Sequence, residues 1–142
     1  MKLNTCSQVI SLSKELENRS AKVYEDLARK FAEHKEVFLA FAKENSKNVV
    51  NTERTYYGVI TDAIEGCFAF NIDPDVYSFE VSANAGLAGA LDQVVAMEAT
   101  IIKFYSEAAE QAKSLMADIP RAFTLIARKR GNRKEALMSL KK

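Results

Sequence analysis

Two glutamates interrupt stripes of apolar residues that are otherwise suited to the core of a helical protein. Glu17 and Glu98 each lie on such a stripe, and each is followed seven residues later by a tyrosine, Tyr24 or Tyr105. Buried polar groups need hydrogen-bond partners, and buried charges need them more. Paired carboxylates in a core can bind metal ions or pair with buried cations. These glutamates are therefore the first candidates for a functional site.

Two other stripes carry polar pairs at i, i+3 spacing. Asn45 and Asn48 form one pair, and Arg130 and Arg133 form the other. Residues three apart lie on the same face of a helix, so each pair is expected to point the same way as the apolar residues around it. The sequence thus predicts two carboxylates, two amides and two guanidinium groups facing one core.

Four helical segments must position these residues. Apolar residues recur at helical period over about 7–31, from 38 to about 67, from 91 to 116, and from the break at Pro120 to about 140. The few glycines and prolines favour an all-α protein, and Pro120 suits a helix N-terminus, where its missing N–H costs nothing.

The connections between the helices differ in length. A charged turn at 33–35 and the break at Pro120 are short, whereas 68–85 is long and holds Asn, Asp and Pro residues typical of turns, with aromatic residues that can pack. Two short links and one long link describe a four-helix bundle made of two helical hairpins, in which the long link crosses from one end to the other.

The two halves of the chain resemble each other. The pattern E-x6-Y-x3-A occurs at 17–28 and again at 98–109, and F-x3-A occurs at 38–42 and 123–127. Repetition over this length indicates a duplicated hairpin.

With these four segments in this order, the chain resembles the rubrerythrin-like branch of the ferritin-like superfamily. In that family E-x6-Y opens each hairpin and F-x3-A-x2-E-x2-H closes it. The resemblance covers roughly 7–140, except for 68–85. It implies a ferritin-like four-helix bundle with a crossover connection, a di-iron carboxylate site and a homodimer.

The metal ligands of that family are largely replaced in this chain. The positions that correspond to the family's metal shell are Glu17, Asn45, Asn48, Glu98, Arg130 and Arg133. Asn is a weak neutral ligand, Arg has no lone pair to give, and a guanidinium repels a metal cation. We therefore predict no metal, cofactor or catalytic residue. Instead, salt bridges take the place of the metals, the asparagines accept the remaining Arg N–H groups, and Tyr24 and Tyr105 lie beside the network.

Three hypotheses for function follow. The first is a rubrerythrin-like protein that has lost its di-iron centre and acts as a metal-free structural or interaction module. The second is a divergent di-iron oxidoreductase of the peroxide-reducing type, in which Glu17 and Glu98 bridge the irons and Glu44 or Asp92 is recruited as a ligand. The resemblance is the basis of both.

The third hypothesis rests on the basic character of the last helix. Arg128, Lys129, Arg133 and Lys134 could bind a small anion or an acidic protein partner, although cations are also favoured near a helix C-terminus. Gly131 lies among them and either relieves crowding beside the arginines or kinks the helix.

Composition limits the remaining classes of protein. With 142 residues, 48% of them hydrophobic and 27% charged, we expect one domain over 1–142. The net charge of +1 gives no reason to expect nucleic-acid binding. Cys6 and Cys67 form no CxxC motif, so we expect no rubredoxin domain. Two isolated thiols favour a reducing compartment, so we expect a cytoplasmic location. The sequence has no apolar run that suits a membrane span, and its one histidine, His34, falls in the first turn.

Overall fold

The described residues of the computed structural model, 2–59, 70–82, 86–112 and 118–140, are almost entirely helical. Their four α-helices are α1 (Cys6–Lys30), α2 (Lys35–Val59), α3 (Leu87–Gln111) and α4 (Asp118–Leu140). Within these ranges the only β-type pairing is an isolated bridge. The prediction of an all-α protein with four helices is confirmed.

Local sequence explains where α1 begins and ends. The Thr5 hydroxyl accepts a hydrogen bond from the Gln8 backbone N–H at 3.2 Å, and the Gln8 side chain accepts one from the Thr5 N–H at 3.2 Å. This capping box satisfies two N–H groups that a helix N-terminus leaves free. A short 3-10 helix, Ala32–His34, then forms the predicted turn into α2.

One predicted helix boundary differs in the structure, and two others lie at residues outside its described part. The third helix was expected to reach residue 116; α3 spans Leu87–Gln111 with Ala112 as its C-cap, and residues 113–117 lie outside the described part of the chain. The fourth begins at Asp118 rather than after Pro120, so the proline lies in the first turn, where N–H groups have no intrahelical partner. The predicted continuation of the second helix falls in 60–69, outside the described residues.

Neighbouring helices run antiparallel, because residues early in one contact residues late in the next. The contacts within each hairpin are Lys14–Glu53 and Ser20–Asn45 between α1 and α2, and Glu98–Arg130 and Tyr105–Phe123 between α3 and α4. Across the hairpins, α1 and α3 meet through the contacts Tyr24–Glu98 and Ser13–Tyr105. Helices α2 and α4 meet through Asn45–Arg133, and near their other ends Thr55 and Asp118 line the same cavity. The bundle therefore has the cyclic order α1, α2, α4, α3.

The described part of the long connection, 70–82, packs on the bundle. Near its start, Ile72 pairs with Leu3 through two backbone hydrogen bonds of 2.6 and 3.1 Å, just before α1 begins. Near its end, the Phe79 carbonyl accepts a hydrogen bond from Arg19 at 2.9 Å, and the Ser82 N–H donates to Gln93. The segment is thus fixed at two separate levels of α1.

In the described ranges, no helix is long and apolar enough to cross a membrane.

Candidate functional site

Arg130 is the centre of a buried ionic network. Its side chain is fully buried, as are those of Glu17 and Glu98. Nε and Nη2 of Arg130 donate to Oε2 of Glu17 at 3.1 and 2.7 Å, and Nη1 donates to Oε1 of Glu98 at 2.6 Å. One guanidinium from α4 therefore joins a carboxylate on α1 to a carboxylate on α3.

Arg133 extends the network toward the surface. Its Nη1 donates to Oδ1 of Asn45 at 2.7 Å and to Oε2 of Glu98 at 3.4 Å, while its Nη2 donates to Oε1 of Glu44 at 2.7 Å. Glu44 is 36% exposed, so this ion pair forms the outer edge of the network. The guanidinium also lies over the Phe41 ring, 4.9 Å from its centroid, a favourable cation–π geometry.

The two asparagines have different roles. Oδ1 of Asn45 accepts from both Arg130, at 3.0 Å, and Arg133, and its Nδ2 donates to Ser20 at 3.1 Å. We predicted that Asn48 would also accept from arginine, but it donates through Nδ2 to Oε1 of Glu17 at 3.0 Å. A carboxylate can only accept, so it fixes the orientation of the Asn48 amide.

Both tyrosines of the repeated motif donate to the carboxylate of the opposite hairpin. The Tyr24 hydroxyl donates to Glu98, and the Tyr105 hydroxyl donates to Glu17 at 2.8 Å. The Ser13 hydroxyl lies 2.7 Å from the Tyr105 oxygen. Burial, followed by the charge of the nearby carboxylate, raises the pKa of both tyrosines well above 10.0, so both stay neutral donors at ordinary pH.

The charges of the network balance in the core. Two buried guanidinium groups face two buried carboxylates, with Glu44 as an additional, half-exposed anion. Burial by itself lowers the pKa of Arg130, but Glu98 and Glu17 more than offset this effect, and the net result is a raised pKa. Arg130 is thus held in its charged form.

These residues do not fit a di-iron centre. No group of three or more His, Cys, Asp or Glu side chains suited to a metal ion occurs among the described residues. Of the ligands considered for recruitment, Glu44 pairs with Arg133, and Asp92 is exposed. His34 lies in the 3-10 turn, where its ring contacts Phe38. The positive charge of Arg130 stands between the carboxylates that a metal would need.

The basic residues of α4 do not form one surface. Arg133 is buried in the network, whereas Arg128 is exposed and Lys129 and Lys134 are half-buried. A Cβ atom at Gly131 would meet no atom within 4 Å, so the interpretation that this glycine relieves crowding is wrong. α4 also continues through Gly131 to Leu140 without a break.

Two members of the network were not identified from the sequence. Ser13 and Ser20 are buried on α1 and contact Tyr105 and Asn45, respectively. Both lie in the helical stretch that carries Glu17, at spacings of four and three residues from it. This spacing places both serines on the helix face of Glu17 and could have indicated their burial. Serine is mostly found at exposed positions, so the spacing alone did not single them out.

Searches of protein-family models, of curated proteins and of solved structures found no match to this chain. Any family assignment therefore depends on the order and spacing of the motifs in the sequence.

Proposed function

We propose that this chain is a rubrerythrin-like protein of the ferritin-like superfamily in which an ionic network takes the place of the di-iron centre, and that it acts as a metal-free structural or interaction module. The observation that carries the proposal is the position of Arg130. Its guanidinium binds Glu17 and Glu98, the two carboxylates that keep the family's residue type. The cation that joins the two hairpins is then part of the chain itself.

The directions of the helices support the ferritin-like topology. Because each helix is antiparallel to its neighbours in the order α1, α2, α4, α3, the diagonal helices α2 and α3 run in the same direction. A connection from the end of α2 to the start of α3 must then travel the length of the bundle. The contacts of Ile72 with Leu3 and of Phe79 with Arg19, at separate levels, support such a path.

The di-iron oxidoreductase is the weaker alternative. It would require Arg130 to leave the core and Glu17 and Glu98 to exchange their arginine and tyrosine donors for metal ions. Removing a hydrogen-bonded partner from a buried ion pair is strongly destabilising, so the network opposes metal entry.

Binding of an anion or acidic partner at the surface of the basic helix is the other alternative. Because Arg133 is buried, only Arg128, Lys129 and Lys134 of the four predicted residues could take part in it.

We further propose that the module is a homodimer, as the resemblance implies. Large apolar side chains are exposed on two neighbouring helices, namely Leu39 and Val50 on α2 and Leu125 and Met138 on α4. Apolar groups of this size at a surface gain free energy when a partner covers them. Light scattering at several concentrations measures the mass in solution.

Elemental analysis of protein purified after growth with added iron tests the loss of the metal centre. We expect less than about a tenth of an equivalent of iron, manganese or zinc, because the ligands needed for tight binding are absent. The visible spectrum should show no iron bands. Close to two equivalents of iron would overturn the proposal and would place the arginines outside the core.

A restored variant supplies the matched control. Asn45→Glu, Asn48→His, Arg130→Glu and Arg133→His together rebuild the family's closing segments, with an added carboxylate and imidazole in each hairpin. If the six positions are a former metal shell, this variant takes up iron while the parent chain does not. A restored variant that folds, as shown by circular dichroism, and still binds no iron would contradict the assignment of these positions.

A further inference from the structure

A cavity of about 450 Å³ lies between α2 and α4, beside the ionic network. Asn48 and Thr52 of α2 form part of its wall, facing Leu125 and Ile126 of α4. Its volume falls in the range of small-molecule sites. Eight of the eleven described residues that line it are polar or charged and three are apolar, so the wall suits a polar ligand.

Two polar atoms in this wall have no hydrogen-bond partner in the described part of the chain. They are Oδ1 of Asn48 and Oγ1 of Thr52, on residues that are only 1% and 3% exposed. Native proteins rarely leave such atoms unpaired, because each one has given up its bonds to water. The bond from Asn48 Nδ2 to Glu17 turns the amide so that an acceptor, not a donor, is left over. A ligand that donates a hydrogen bond would therefore satisfy Oδ1 of Asn48.

The outer part of the cavity is positively charged. Among the described residues, three cations line it, namely Arg54, Arg121 and Lys129, and one acidic group, Asp118, which lies 3.7 Å from Arg121. Two positive charges therefore remain in excess. Such a rim favours an anionic group, at a strength that salt reduces.

We infer that this cavity binds a small hydroxylated organic anion. A hydroxyl group of the ligand donates to Oδ1 of Asn48 and accepts from the hydroxyl of Thr52 at the floor, and the carboxylate or phosphate group of the ligand pairs with Lys129 and Arg121 at the rim. Because neither floor atom is exposed to solvent, a slight shift of the floor side chains accompanies binding. Asn48 is shared between the cavity and the ionic network, whereas Thr52, Arg121 and Lys129 belong to the cavity alone.

Calorimetric titration with four probes separates the two parts of the recognition. Glucose 6-phosphate and gluconate carry hydroxyl groups together with a phosphate or a carboxylate, whereas glucose and inorganic phosphate each carry one part alone. We expect one or both of the hydroxylated anions to bind at least about tenfold more tightly than either partial probe. The tighter of the two identifies the anionic group. Equal binding of all four, or no binding of either hydroxylated anion at millimolar concentration, would overturn the inference.

Two variants then locate the binding. Lys129→Gln removes a rim charge, and Arg128→Gln removes an adjacent charge that does not line the cavity. We expect Lys129→Gln to weaken binding about three- to tenfold at low salt and Arg128→Gln to leave it unchanged. Equal effects of the two variants would show that only the general charge of α4 attracts the anion, and would contradict the inference.

Thr52→Val tests the floor of the cavity. Valine keeps the shape of threonine but cannot form a hydrogen bond, so binding of the preferred probe should weaken about three- to tenfold. The melting temperature without ligand should not fall, because the lost hydroxyl has no partner among the described residues. Unchanged affinity in this variant would contradict the inference, because the ligand would then make no hydrogen bond with Thr52.

Discussion

Arg130 and Glu17 are joined by two hydrogen bonds to one oxygen atom. Nε and Nη2 of the guanidinium both reach Oε2 of the carboxylate, at 3.1 and 2.7 Å, and neither side chain is exposed to solvent. The same oxygen also accepts from the Tyr105 hydroxyl. Three donors thus converge on one atom, and the guanidinium of Arg130 compensates the negative charge of Glu17.

Removal of Arg130 should be among the most destabilising single changes in the chain. Arg130→Met keeps much of the side-chain volume but leaves Glu17 and Glu98 facing each other with their main cation gone. We expect a loss of about 3–5 kcal/mol in the free energy of unfolding, the usual range when one partner of a buried ion pair is removed. Urea denaturation at neutral pH measures it.

The matched control changes all three residues at once. Arg130→Met combined with Glu17→Gln and Glu98→Gln leaves no unpaired carboxylate, so the triple variant should be more stable than the single variant. If the three changes are simply additive, the carboxylates and the guanidinium do not interact as the geometry indicates.

Alkaline pH should destabilise the fold through Tyr24 and Tyr105. Their pKa values are raised well above 10.0 in the folded chain, by burial first and by the neighbouring carboxylate second. Above about pH 10 the folded state therefore binds more protons than the unfolded state, and stability falls as pH rises; below about pH 10 this contribution is fully present. Near-ultraviolet absorbance of tyrosinate, followed together with circular dichroism, should show these tyrosines ionising only as the helices unfold.

A variant identifies the residues responsible. The chain has five tyrosines. The double variant Tyr24→Phe with Tyr105→Phe should remove the contribution of two of them from the tyrosinate absorbance that appears on unfolding. Full titration of all five in the folded protein, before any loss of helix, would be incompatible with the buried hydroxyl groups.

The helices and the polar core could be predicted because both leave a periodic signal. The apolar stripes predict the helices, and charged residues that interrupt a stripe, such as Glu98 and Arg130, stand out because burying them requires partners. The pairing of Leu3 with Ile72 leaves no such signal, since it is a single backbone bridge between distant segments. The direction of the Asn48 amide depends on Glu17 from another helix, so it too needed the structure.

Two positions on α2 should respond in opposite ways to loss of their polar groups. Asn45→Leu removes the acceptor shared by Arg130 and Arg133 and should cost about 2–4 kcal/mol, because buried charged donors lose a partner. Thr52→Val removes a hydroxyl that has no partner in the described chain and should be neutral or stabilising by up to about 1 kcal/mol. Thermal and urea unfolding of both variants, made in the same background, provide the comparison. A loss of stability in Thr52→Val equal to that in Asn45→Leu would show that the Thr52 hydroxyl is bonded after all.

Replacement of Gly131 by alanine should stabilise the fold. It lies within α4 and a Cβ atom there would meet no atom within 4 Å, so alanine costs no packing and restricts the unfolded chain. We expect Gly131→Ala to raise the free energy of unfolding by up to about 1 kcal/mol. Ala136→Gly, at an exposed position of the same helix, should lower it by a similar amount. Because neither position has a side chain in the ionic network, Tyr24 and Tyr105 should still ionise only as the helices unfold in both variants. A destabilised Gly131→Ala variant would mean that the glycine serves to bend α4 beside Arg130 and Arg133, since its open surroundings already exclude relief of crowding.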